Sequence, residues 1–157
     1  MDNKTAFFNE IREGNIEAIR NRLVKTPDLL TAKDERGSTP LILATYYSHS
    51  EMVTLMLEAG ADMNAKDSAG NTALMGVCFK GYIDLAEKLI EKGANVNERN
   101  SMGGTALIYA ATFNQPEIVK LLLANDADTT VKDGRGHTAL DHAKMQGKPE
   151  LIALLDN

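Results

Sequence analysis

Four threonines, Thr39, Thr72, Thr105 and Thr138, stand 33 residues apart, and most of the chain repeats in phase with them. Two positions earlier run Gly37, Gly70, Gly103 and Gly136; two later run Leu41, Leu74, Leu107 and Leu140. Five positions after each threonine comes a small apolar residue: Ala44, Val77, Ala110 or Ala143. Further on, Met52, Leu85, Ile118 and Leu151 form a column beside Val53, Ala86, Val119 and Ile152. A period of this length describes one supersecondary unit, and such a unit cannot bury its apolar face alone. The units must therefore stack into a solenoid.

Each copy makes local physical sense. "DERGSTP" is a turn sequence in which Gly37 can take a positive φ. The threonine then opens a short helix whose free N–H groups its hydroxyl can cap. A second apolar-periodic helix follows, as in "EMVTLMLEAG", and stops at Gly60 or Gly93. The glycine column continues as Asp126, so that position is expected to hold a non-glycine residue at positive φ. The column Asp34, Asp67, Asn100 and Asp133 is expected to close each turn through side-chain to backbone bonds.

The pattern resembles the ankyrin repeat, whose T-P-L-H-x-A core stands here as Thr39-Pro40-Leu41-Ile42-Leu43-Ala44. The other copies read Thr72-Ala73-Leu74-Met75-Gly76-Val77, Thr105-Ala106-Leu107-Ile108-Tyr109-Ala110 and Thr138-Ala139-Leu140-Asp141-His142-Ala143. All four replace the family histidine, and one keeps the proline. The resemblance implies an all-α ankyrin-repeat solenoid of stacked helix-turn-helix units with β-turn tips. It divides a single domain, 1–157, into five copies: 35–67, 68–100 and 101–133 inside, with 1–34 and 134–157 as caps. The first copy is degenerate, with one residue inserted before Asp34, and its Arg12, Glu13, Arg20 and Arg22 suit a face that meets water. Phe7 and Phe8 fall at the apolar start of its first helix and are expected in the core.

Catalysis finds no support in the residues. Cys78 aligns with Thr45, Ala111 and Lys144 and reads as a buried structural thiol, with no histidine in its own copy to activate it. "HTALDHA" places His137 and Asp141 four residues apart beside His142, yet this matches no established ligand spacing. No catalytic, metal or cofactor site is therefore expected. The net charge of −5 argues against nucleic acid and acidic membrane as partners. No signal-peptide core or membrane-length apolar run is visible, and a soluble cytoplasmic protein is expected.

The resemblance implies that the first helices and the tips line a concave face that binds another protein. The late first-helix positions on that face are Tyr46 and Tyr47, Phe79 and Lys80, Thr112 and Phe113, Met145 and Gln146. Aromatic residues make up only 5% of the chain, four Tyr and four Phe, yet four of these eight sit here. Exposed aromatics on a rigid surface are efficient interface anchors, large in area and low in entropy cost. Beside them Lys33, Lys66, Arg99 and Lys132 form a basic column along the tips, with no evident structural task. Together they suggest a protein partner with acidic residues beside an apolar patch, steered by the ladder. The alternatives are a nucleic-acid binder using the ladder, an unrecognised metal-dependent enzyme, and burial of the aromatics between copies. A monomer is expected, with self-pairing through the exposed rings left open.

Overall fold

The computed structural model describes residues 2–156; Met1 and Asn157, at the ends of the copies expected at 1–34 and 134–157, lie outside the described residues. Ten α-helices and a 3₁₀ turn, without a strand, make up the regular structure of the described residues. The helices are α1 (Asn3–Glu13), α2 (Ile16–Lys25), α3 (Pro40–Tyr46), α4 (Ser50–Glu58), α5 (Ala73–Lys80), α6 (Ile83–Glu91), α7 (Ala106–Thr112), α8 (Pro116–Ala124), α9 (Ala139–Gln146) and α10 (Pro149–Leu155). They alternate between two layers. The first helices of each pair pack in the order α1, α3, α5, α7, α9, and each is backed by the helix that follows it.

The threonine column starts the first helices as its chemistry requires. Thr39, Thr72, Thr105 and Thr138 have extended backbones, and their hydroxyls accept from the amides of Ile42, Met75, Ile108 and Asp141. Each of these amides would otherwise be an orphan of the first turn. At Thr138 the cap is reciprocal, because Asp141 accepts from the Thr138 amide at 2.9 Å. The small column then lets the first helices approach closely: Ala44, Val77, Ala110 and Ala143 are all fully buried. Phe7 and Phe8 are in the core as expected, meeting edge to face at 5.7 Å between ring centres.

The turns close as the acid column predicts. Oδ1 of Asp34 accepts from the amides of Arg36 and Ser38, and Oδ1 of Asp67 from Ala69 and Asn71. Asn100 and Asp133 repeat this with Met102 and Gly104, and with Arg135 and His137. Successive tips are joined by backbone bonds, Ser101 N–H to Ala69 carbonyl at 3.0 Å and Gly134 N–H to Met102 carbonyl at 2.8 Å.

Two features of the first copy differ from the sequence expectation. Arg12 and Arg22 do not simply face water. Arg12 Nη2 pairs with Asp34 at 3.2 Å, and Arg22 is clasped by Glu10 at 2.5 Å. Arg22 reaches from α2 to an acid on α1, and Arg12 reaches from α1 to the turn before α3. The inserted residue is absorbed by the 3₁₀ turn Pro27–Thr31, which brings Leu29 down into the core at 7% exposure.

Asp126 takes φ +64°, in phase with Gly60 at +97° and Gly93 at +99°. An L side chain at positive φ costs roughly 1 kcal/mol, less for Asp, and glycine adds some entropy to the unfolded chain. Asp126→Gly is therefore expected to raise stability by about 0.5 kcal/mol, read as a higher urea midpoint at unchanged slope. A lowered midpoint would show that the aspartate is favoured there.

Candidate functional site

A second left-handed column ends the first helices and sets the aromatic positions. Ser48 (φ +59°), Gly81 (+81°), Asn114 (+54°) and Gly147 (+60°) follow α3, α5, α7 and α9. A left-handed residue stops each helix directly after the late positions named above, which leaves their side chains at the helix end. Tyr46 is 46% exposed, Tyr47 42%, Phe79 43% and Phe113 43%, so these rings are half out of the core rather than sealed between copies. They touch one another. Phe79 and Phe113 meet edge to face at 4.5 Å, Tyr46 and Tyr47 at 5.3 Å, and Tyr109 stacks on Phe113 at 6.1 Å.

These aromatics converge on one groove. A cavity of about 530 Å³ opens between the first-helix row and the tips, lined by Tyr46, Tyr47, Phe79, Phe113 and Tyr109. Leu43, Met75 and Gly76 form part of its wall, and Asp34, Asp67 and Asn71 approach from the turns. Its size lies within the range of ordinary ligand sites. Lys80, Thr112 and Met145 do not line it. The Lys80 ammonium lies 4.4 Å from the centre of the Tyr46 ring, a cation–π contact. The Thr112 hydroxyl is spent on the Ile108 carbonyl, and Met145 projects at 60% exposure from the last first helix. Gly76 escaped the sequence reading as a site residue, although it is the one member of the column Leu43, Gly76, Tyr109, His142 with no side chain.

The basic column has a structural task after all. Lys33 Nζ donates to the Lys66 carbonyl at 3.0 Å, Lys66 Nζ to the Arg99 carbonyl at 2.9 Å, and Arg99 Nη2 to the Lys132 carbonyl at 2.7 Å. Each basic residue thus ties its copy to the next, because stacking in register brings position n+33 within reach of a long side chain. Lys66 also pairs with Glu98 at 3.1 Å. Lys132 ends the series.

The remaining chemical groups are held inside local structure. Cys78 is fully buried, and burial pushes its thiol far up, so it is a poor nucleophile. Asp141 is taken up by the Thr138 cap. The groups that do come together are Asp133, His137 and His142, with donor atoms within 4.8 Å of one another. Nε2–H of His142 donates to Asp133 Oδ2 at 2.7 Å, while Asp133 Oδ1 holds two turn amides. Burial raises the Asp133 carboxyl, but the bonds from His142 and from the amides of His137 and Arg135, with the charge on His142, outweigh it and bring it down to about 2.

A carboxyl lowered on folding stabilises the fold above its unfolded value, 3.8, and that contribution is lost as pH falls toward 2. Asparagine should preserve the turn at 133, since Asn100 closes the equivalent turn. Asp133→Asn is expected to cost about 2 kcal/mol at neutral pH, a gap that narrows between pH 4 and 2. Urea unfolding of both proteins across this range checks it; a gap constant down to pH 2 would remove the carboxylate from the account.

Comparison with known proteins agrees with this geometry. A family model described as ankyrin repeats (3 copies) matches residues 1–67 and 60–133. Protein fem-1 homolog C of Danio rerio is 39% identical over 62 residues, 37% of this chain and 10% of that protein. Protein fem-1 homolog C of Homo sapiens is 36% identical over 62 residues with the same coverage. DNA-binding protein RFXANK of Homo sapiens is 40% identical over 50 residues, 32% of this chain and 19% of that protein. The chain thus spans about a tenth of the length of its fem-1 relatives. No helix among the described residues is long and apolar enough to cross a membrane. With a 33-residue period, capped helix pairs stacked in two layers and family matches running over residues 1–133, this chain belongs to the ankyrin-repeat family.

Proposed function

We propose that the chain is a non-catalytic protein-interaction module that holds a segment of a partner protein in the groove between its first helices and its tips. The observation that carries this reading is the convergence of Tyr46, Tyr47, Phe79 and Phe113, each half exposed, around one cavity of about 530 Å³. A soluble surface has little reason to spend its few aromatics there unless something covers them. These four rings are the anchors, with Lys80, Thr112 and Met145 at the margins. The whole stack acts as one unit, with copies 1–34 and 134–157 as its caps, in an adaptor, inhibitor or stabilising-subunit role.

The basic column contributes charge as well as stacking. Lys66 is matched by Glu98, so attraction of acidic residues on the partner falls to Lys33, Arg99 and Lys132. RFXANK is by name a DNA-binding protein, which raises nucleic acid as a second reading. A net charge of −5 and a ladder already engaged in carbonyl bonds favour a protein instead.

The test is co-purification from the native cell, comparing wild type with a Tyr46→Ala, Tyr47→Ala, Phe113→Ala variant whose helicity is checked by circular dichroism. A protein partner held by wild type and lost by the folded variant is the expected result, with affinity reduced at least tenfold. A partner held equally by both would move the site away from the groove. Recovery of nucleic acid in place of protein would favour the second reading.

A further inference from the structure

The turn residues at 34, 67, 100 and 133 each have a second side-chain atom beyond the one that closes the turn. In three copies that atom has a partner. Asp34 Oδ2 receives Arg12, Asn100 Nδ2 donates to the Tyr109 hydroxyl at 3.1 Å, and Asp133 Oδ2 receives His142. In the last two the partner is nine residues further on, in the first helix that follows the turn. The same step from Asp67 arrives at Gly76, which has no side chain. Among the described residues Asp67 Oδ1 takes the amides of Ala69 and Asn71, and nothing meets Oδ2.

The missing side chain leaves a space as well as an unpaired oxygen. A Cβ built on Gly76 would meet no atom within 4 Å, and Gly76 and Asp67 both line the groove. Leu43 and Tyr109, the neighbours of Gly76 in its column, stand on either side, and the rings of Phe79, Phe113, Tyr46 and Tyr47 surround the opening. Of the charged groups lining the cavity, Asp34 and Glu35 are matched by Arg12 at 3.2 and 3.8 Å. That leaves Asp67 unmatched, with Arg36 exposed on the preceding tip.

Building on the groove reading above, we propose that the space over Gly76 is a side-chain pocket for a basic residue, lysine or arginine, of the partner segment. Its cation meets Asp67 Oδ2 and its stem lies among the aromatic rings. Aromatic faces and a carboxylate both favour a cation over a neutral side chain of equal length. The pocket occupant replaces the hydrogen bond that Tyr109 and His142 make in the next two copies.

The probe is a capped pentapeptide, acetyl-Ser-Gly-X-Gly-Ser-amide, with X as arginine, lysine, citrulline, norleucine or glutamate. Binding to the full chain is followed by amide chemical shifts of residues 67–79. The arginine or lysine peptide is expected to bind roughly tenfold tighter than citrulline or norleucine, and glutamate weakest. The ratio between the arginine and lysine peptides identifies which cation fits. Asp67→Asn keeps the turn, as Asn100 does, and should abolish the preference. Gly76→Tyr fills the space, offers Asp67 a hydroxyl, and should abolish binding while the melting point stays the same or rises. Equal binding of arginine and citrulline, a preference for glutamate, no binding of any peptide, or selectivity that survives Asp67→Asn would each overturn the pocket. If the pocket fails in this way while the triple aromatic variant still loses its partner, the groove reading stands without it. A selective pocket alongside a partner that the triple variant retains would sink the groove reading instead.

Discussion

Gly70→Ala is expected to destabilise the chain by about 3 kcal/mol. Gly70 has φ +80°, where a Cβ is strained by itself. The added carbon would also stand 2.8 Å from the Ser101 amide nitrogen and 3.1 Å from Asn100 Cα, both backbone atoms of the next tip. No rotamer relieves that contact. The tips must separate, which stretches the Ser101 to Ala69 bond and the Lys66 to Arg99 bond beside it. Gly136 is the internal control. It has φ +84° in the equivalent turn, but among the described residues a Cβ there meets nothing within 4 Å. Gly136→Ala should cost only the backbone strain, about 1 kcal/mol. Urea unfolding of both variants measures the difference, which is the price of tip-to-tip contact; equal losses would show that the tips tolerate separation.

Leu107→Ala is expected to cost about 3 kcal/mol and to lower the melting temperature by roughly 6–12 °C. Leu107 is 1% exposed in α7, which packs on α5, α8 and α9. A cavity there weakens one helix pair and both of its interfaces. In a stack, stability is a sum of copies and nearest-neighbour contacts, so the centre matters most to cooperativity. Leu151→Ala, at a fully buried position in α10, removes the same atoms next to fewer neighbours. It should cost less, about 2 kcal/mol, and leave the transition sharp. Broadening for Leu107→Ala but not for Leu151→Ala would show that the central copy couples the two ends. The reverse order would mean that stability is concentrated in the pair α9/α10.

The sequence by itself determined the period, and through the period the fold. Thr39 and its equivalents, the small column at Ala44 and the turn acids at Asp34 act within a few residues of themselves. Caps, turns and close helix contacts are local chemistry, and a repeating sequence states them several times over. The left-handed column at Ser48, Gly81, Asn114 and Gly147 was harder to read, since two of its members are not glycine. The half-exposed rings were legible as residues that the period does not require to be apolar.

Tertiary structure decided what the surface residues do with one another. Lys33, Lys66 and Arg99 read as free charge until stacking placed each beside a carbonyl 33 residues on. Arg12 and Arg22 read as solvated until the turn before α3 brought Asp34 to the one and α1 brought Glu10 to the other. The groove around Gly76, and the Asp67 oxygen left unpaired in it, arise from an absent side chain in one copy seen against the pairs formed in the others. A linear sequence records which residue is present, but long-range pairing depends on direction and distance between elements, and those exist only once the copies have stacked.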